Sequence, residues 1–410
     1  MKKIFFFILF SMLLIAEEIE IKSLQTYTRG DVYSIPVIYK NDKGSKFLIE
    51  FDVAAETSPD LSIKFVYCDR NWNPYDAVLL STSGKDTDSM LDFVSLPAGN
   101  EGADWHCKRI FPNKNVSFPY SGKWMFKIVD TFDEDKVYAT GKFYVVEQLV
   151  NLSSVFTIDQ LDGKPYSQNS LNRSLRLTTK ILFGETEIDR FRIKQMEIVE
   201  NRRLNDPIKI TVDEDTDTRY HEWSLGTDFR FVARDIRPGN ENRKVSLWNT
   251  TKYGQYEVDA HFDGAEIPHF YRELPRDNNG GFLLKKFSDS YANYMDVKFQ
   301  IKSEFLGDRD LFLTGAFCNW KVLPKYKMEY LNGAYETYVI LKRGTYDYKY
   351  VTGILDDDKV RSIDWYAVDG NHLSTENVYN VFLFYNAIES GGYDRIIGYT
   401  KIYSGYYEQN

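Results

Sequence analysis

Strict alternation of apolar and polar residues recurs along this chain, and it is the feature that most narrows the fold. Leu61, Ile63, Phe65 and Tyr67 alternate with Ser62, Lys64 and Val66, and Trp124, Phe126 and Ile128 do so across Lys127. The same period runs through Ile208–Val212, Tyr256–Phe262, Val297–Ile301 and Tyr346–Tyr350. A two-residue period puts successive side chains on opposite faces of a strand with one face buried. Turn-forming pairs punctuate these runs at Ser83-Gly84, Ser121-Gly122, Asp263-Gly264 and Asn332-Gly333. No strong amphipathic helix of three turns competes. Many short strands with polar turns predict an all-β chain of tandem β-sandwiches of the immunoglobulin-like or early-set kind. Aromatic residues make up 16% of the sequence, and they favour pleated, half-buried surfaces.

At 410 residues the chain is expected to hold several domains. The boundaries are placed at 17–147, 148–290 and 291–410. The first break follows a closing strand, Gly141–Glu147, and precedes a polar stretch. The second follows the turn Asp277-Asn-Asn-Gly-Gly281.

Residues 1–16 are expected to be a cleaved signal peptide. Lys2 and Lys3 precede an apolar run, Ile4–Ile15, interrupted only by Ser11, and Ala16 leads into Glu17 and Glu18. The run is short for a membrane span, and no Cys follows it to carry a lipid. The mature protein is therefore expected in the periplasm, soluble. Cleavage would shift the net charge from −9 to −11, because two lysines leave. An acidic chain without a basic patch does not fit a nucleic-acid partner.

Chemistry-bearing motifs are sparse. The five His show no HExxH or HxH spacing, and no GxSxG, P-loop or GxGxxG occurs. Asp213, Asp215 and Asp217 have calcium-loop spacing, but Thr218 stands where Gly is needed and Ser224 where Glu is needed, so a solvated loop is expected. A glycosidase-type acidic pair has no motif to locate it. Nothing calls for a cofactor or metal. Of Cys68, Cys107 and Cys318, the first two share the N-terminal unit. They are either a disulfide or two separate buried thiols.

Two resemblances add to this reading. The stretch Asp310-Leu-Phe-Leu-Thr-Gly-Ala-Phe-Cys-Asn-Trp320, the strand Lys342-Arg-Gly-Thr-Tyr-Asp-Tyr-Lys-Tyr-Val351 and Leu373-Ser-Thr-Glu-Asn377 resemble the early-set glycogen-binding modules of the family-48 type. That resemblance implies a glucan surface on Trp320 and Lys349, with Leu373, Thr375 and Asn377 beside it. A second sugar-stacking Trp is absent just after the strand, where Ile354-Leu-Asp-Asp-Asp358 stands. A longer resemblance covers Tyr67-Cys-Asp-Arg-Asn-Trp72, Phe111-Pro-Asn113, Tyr120-Ser-Gly-Lys-Trp124, Asp277-Asn-Asn-Gly280, the Leu341–Val351 block, Thr375-Glu-Asn-Val-Tyr379, Tyr393-Asp394 and Ile397-Gly-Tyr399. In order and kind these are similar to the plug proteins of the type IX secretion system of Bacteroidetes, with Tyr67 and Arg343 standing where that family usually has His and Gln. This implies a non-enzymatic protein that closes the inner mouth of a large outer-membrane β-barrel translocon. The alternative is an exported α-glucan-binding protein using the C-terminal unit.

Overall fold

The structure is a computed structural model and describes residues 19–75, 85–161, 170–186, 188–223, 228–303, 307–387 and 391–405. The candidate signal segment and the Ser83-Gly84 turn lie outside the described residues. The protein is built of β-strands paired into six sheets, which face each other as three sandwiches.

The first sandwich packs the sheet Glu20–Thr28, Phe47–Ala54, Trp105–Phe111, Phe93–Ser95 against the sheet Val37–Tyr39, Val137–Val146, Gly122–Asp130, Leu61–Cys68, Thr87–Asp88. The alternating runs read from the sequence are direct partners: Ile63 opposes Ile128, Phe65 opposes Phe126 and Tyr67 opposes Trp124. Their inward side chains meet Phe47, which stacks on Phe143 at 4.5 Å, and Phe111, which lies edge-on to Phe65 at 4.8 Å. Each such buried ring contributes ~1.5–3 kcal/mol by leaving water.

The other two sandwiches do not follow the expected spans 148–290 and 291–410. The strand Val378–Ala387 pairs with Ile193–Glu200, from Tyr385 opposite Ile193 to Tyr379 opposite Glu200, and Tyr393–Tyr403 pairs outside it. With Ile208–Thr211 they face the sheet Asn151–Gln160, Arg173–Leu182, Phe229–Ile236, Arg219–Trp223. The last two described strands thus belong to the middle sandwich. The third sandwich, formed by strands between Arg243 and Asp364, is inserted within it. Its long strand Gly344–Asp356 pairs with Arg243–Ser246, Phe282–Leu284, Asp310–Gly315 and Lys359–Asp364. The facing sheet is Glu257–Asp259, Tyr294–Ile301, Ala334–Lys342, Glu329–Leu331.

The reason lies in residues 381–385, Val-Phe-Leu-Phe-Tyr, which are apolar on both faces. Val381 and Leu383 enter the middle core. Phe382 and Phe384 point the other way and pack with Ile396 and Tyr399 against Ile35, Val37, Tyr144 and Val146 of the first sandwich. Phe382 stacks on Tyr144 at 4.1 Å. A strand covered on both sides must be central, not the edge of a separate C-terminal unit.

Candidate functional site

The residues singled out from the sequence lie at the joints between sandwiches rather than on an open face. Trp320 is 3% exposed and Lys349 1%. Lys349, Thr375 and Asn377 do converge, and what they hold is the chain's own backbone. Asn377 donates to the Pro238 carbonyl at 2.7 Å, Thr375 to Gly239 at 2.8 Å and Lys349 to Asn240 at 3.0 Å. Residues 238–240 are where the chain leaves the middle sandwich for the third, and 369–377 are where it returns. The outgoing and returning crossings are further tied by Asn371 accepting from the Gly239 N–H and by the His372 N–H donating to the Gly239 carbonyl. Burial pushes the Lys349 ammonium down to about 8, with the Arg203 charge nearby adding to the effect.

Trp320 donates its indole N–H to the Gly280 carbonyl at 2.7 Å, and Leu373 packs against the middle core. Trp365, missed in the sequence because the hairpin Lys359–Asp364 postpones it, supplies the second aromatic beside Trp320. The Arg203 guanidinium of the middle sandwich lies 4.4 Å over Trp365 and 5.9 Å from Trp320. A sugar-stacking platform needs exposed ring faces and free donors. Here an arginine covers the rings and backbone carbonyls occupy the donors, so these five residues form no glucan-binding surface.

The turn Asp277–Gly280 caps the same region. Its Asn278 and Gly280 N–H groups donate to Asp347 at 2.7 and 3.0 Å. Gly280 has φ of +78°, and a Cβ there would sit 3.0 Å from the Trp320 ring nitrogen, so both the backbone and the packing call for glycine. Burial and the neighbouring Asp277 charge push Asp347 up to about 8.

The joint between first and middle sandwiches is built from the Tyr67–Trp72 and Tyr120–Trp124 blocks. Asp69 accepts from the Asn71 and Asn73 N–H groups at 2.7 and 2.9 Å, forming an Asx-turn. The turn places Trp72 over Lys123, whose ammonium lies 4.6 Å from the ring. Lys123 is fully buried and paired at 2.7 Å with Glu197 of the middle sandwich, itself fully buried. Glu197 also accepts from Tyr144 at 3.0 Å, and Lys123 donates to the Arg70 carbonyl at 2.7 Å. Burial depresses the Lys123 pKa, with Glu197 opposing the shift. Beside this pair, Tyr67 donates to the Asp394 carbonyl at 2.6 Å, and the Asp394 carboxylate accepts from the Arg70 N–H at 3.0 Å. Tyr67 and Tyr393-Asp394 are therefore two halves of one contact.

The joint between first and third sandwiches centres on Asp52. It meets Lys342 at 2.5 Å, His106 at 2.8 Å and the Tyr294 hydroxyl at 2.8 Å. The His106 ring stacks on Phe287 of the third sandwich with centroids 4.0 Å apart. Burial works against charge on Asp52, but hydrogen bonds and charge from His106 and Lys342 outweigh it and hold its pKa below the usual range. Burial likewise opposes charge on His106, and the Asp52 and Glu50 contacts outweigh it and raise its pKa. Next to Lys342, Arg343 donates to the carbonyls of Tyr291, Leu247 and Tyr253 at 2.9, 3.1 and 2.9 Å.

Cys68 and Cys107 are free thiols on facing sheets, and not a disulfide. Burial pushes Cys68 up to about 11 and Cys107 up to about 12. Neither supplies thiolate at neutral pH. The native protein is expected to leave both unmodified by a thiol-specific aromatic disulfide at pH 8, and all three cysteines to react in denaturant. A denatured count of one thiol would instead mean a bridge.

Residues 21–147, the first sandwich, match the family model described as type 9 secretion system plug protein 1st domain. A comparison with curated proteins finds no match. Among solved structures, the crystal structure of a hypothetical protein from Parabacteroides merdae ATCC 43184 is 20% identical, covers 94% of this chain and 98% of its own, and superposes with a TM-score of 0.77. A structure concerned with host cell surface retention of a 1.5-MDa bacterial ice-binding adhesin is 9% identical, covers 94% of this chain and 96% of its own, and has a TM-score of 0.14, far below a shared fold. The chain thus shares its fold with the Parabacteroides merdae protein, and its residues 21–147 match the first domain of the type 9 secretion system plug proteins.

Proposed function

We propose that this protein is a non-enzymatic plug that acts in the periplasm and closes the inner mouth of the outer-membrane type IX translocon by protein–protein binding. The match of residues 21–147 to the plug first domain carries this reading. The joints support it. A body that stops a wide pore must not flex open, and here each sandwich is bonded to both others through buried charge pairs, stacked rings and a stapled double crossing. The reading needs an interface that releases, so a polar, modest contact suits it better than a large apolar one. Among the described residues no helix is long and apolar enough to cross a membrane.

The test is affinity capture. Tagged full-length protein is incubated with detergent-solubilised outer membranes of the source organism. Recovery of a single very large β-barrel protein is the expected result. Failure to recover it in several mild detergents would overturn the proposal.

A further inference from the structure

The three sandwiches meet at a small cleft of about 50 Å³. The first sandwich supplies Lys142 to it, the middle one Asn205, and the third Asn319 and Lys321. Lys142 donates to the Asn205 side-chain oxygen at 2.8 Å, and the Asn205 amide donates to the Asn319 carbonyl at 3.3 Å. One asparagine of the middle sandwich thus links the other two across the gap. A water needs about 10–15 Å³ of such space. The cleft therefore admits a few waters or one small polyatomic ion, and is too narrow for a peptide or a nucleotide.

What lines the cleft is positive charge without a counter-ion. Lys142 is half-buried and Lys321 exposed, and among the described residues neither is in an ion pair. The Lys142 ammonium lies 4.7 Å from the Trp72 ring, and the Lys123 ammonium lies 4.6 Å from the same ring. Lys123 has the Glu197 carboxylate at 2.7 Å, whereas Lys142 has an uncharged amide oxygen in that role. Burial and the charges of Lys123 and Lys321 push Lys142 down to about 8, and Glu197 opposes them with a smaller effect. The field at Lys142 is thus positive even with Glu197 counted. Of the other carboxylates nearby in the chain, Asp69 is held in its own turn and acts on Lys123, and Asp206 acts on Arg203. A half-buried ammonium with no carboxylate costs stability, and a bound anion offsets that cost.

We propose that this cleft binds one small free oxyanion of the sulfate or phosphate type, held between Lys142 and Lys321. A tetrahedral ion offers separate oxygens to the two ammonium groups, and the hydrogen bonds that form are charge-assisted on both sides. Lys142 belongs to the first sandwich and Lys321 to the third. The ion therefore supplies, between two sandwiches, the counter-charge that Glu197 supplies to Lys123 and Asp52 to Lys342 at the other joints.

The test is isothermal titration calorimetry of the full chain with sodium sulfate at pH 7, in a sodium chloride buffer of constant ionic strength. Sulfate also stabilises proteins by being excluded from their surface, so the readout is a saturable heat and its stoichiometry rather than a melting shift. One sulfate per chain is expected to bind. Lys321→Met is expected to weaken binding about ten-fold or more, the loss of a hydrogen bond to a charged group. The Lys321 side chain is exposed, so an unchanged unfolding midpoint separates a binding defect from a folding one. Asn205→Asp puts a carboxylate oxygen where the amide oxygen now accepts from Lys142, and is expected to abolish binding because the site then carries its own counter-ion. Glycerol 3-phosphate, an ester too large for the cleft, is expected not to displace sulfate, and displacement by it would overturn the assignment to a free ion. The absence of a saturable one-to-one heat, wild-type affinity in Lys321→Met, or wild-type affinity in Asn205→Asp would each overturn the proposal.

Discussion

Replacing Lys123 by Met is expected to cost about 3–5 kcal/mol of folding stability, the usual penalty for leaving one partner of a buried ion pair without the other. Glu197 would lose its buried cationic partner, with Tyr144 and Gln195 left as its hydrogen-bond donors. The Arg70 carbonyl would lose its ammonium donor as well. The measurement is urea unfolding followed by both tryptophan fluorescence and far-ultraviolet circular dichroism. Coincident curves establish that the three sandwiches unfold together and that a single free energy is defined. The triple variant Lys123→Met, Glu197→Leu, Tyr144→Phe removes both charges and the hydroxyl that one of them serves. It is expected to recover most of the loss, because a buried pair exchanged for apolar side chains of similar volume is often neutral or better. A cost below about 1 kcal/mol for Lys123→Met, the range of an exposed pair, would mean that water reaches this joint.

Replacing Asp52 by Ala is the second large effect, again about 3–5 kcal/mol, because Lys342 is left buried and unpaired. This joint also responds to pH. The raised pKa of His106 means that its contribution is fully present below the unfolded value of about 6.5 and is lost as pH climbs through the folded value. The lowered pKa of Asp52 means that its contribution is present above about 3.9 and is lost as pH falls through the folded value. The joint is thus strongest between these limits. The stability gap between wild type and His106→Gln should be widest near pH 5–6 and narrow on the alkaline side. A gap that stays constant up to pH 9 would show that the His106 charge is not coupled to Asp52.

The inward faces of the first sandwich's strands were legible because a two-residue period specifies which side chains face the core, as Phe65 and Phe126 do, whereas their pairing is visible only in the fold. The domain boundary was not legible. A run such as Val381–Tyr385 says that both faces are buried, but it does not say by what, and the partner strand lies about 180 positions earlier at Ile193–Glu200. Trp320, Lys349, Leu373, Thr375 and Asn377 stood out in the sequence as a candidate binding surface. Polar or aromatic residues fixed in place can serve a ligand or the chain's own backbone, and only the fold shows that residues 238–240 have taken the ligand's place. Lys123 and Asp52 carried no local signal, since one lysine or one aspartate in a strand reads as a solvent-facing position until the neighbouring sandwich covers it.

The insertion of one sandwich inside another sets an order on assembly. During synthesis the first sandwich has all its described strands once Val137–Val146 has emerged, and the inserted one once Lys359–Asp364 has. The middle one must wait for Tyr393–Tyr403, the last described strand of the chain. Until then the apolar faces of Ile193–Glu200 and Arg173–Leu182 lack the strands that cover them. Pairing across so many residues is slow and leaves such faces open to aggregation meanwhile. The closing contacts of Phe382 with Tyr144 and Tyr67 with Asp394 form only at that last step. The three-part body therefore forms only once the chain has been made through Tyr403, and a copy terminated before that strand lacks the closing contacts.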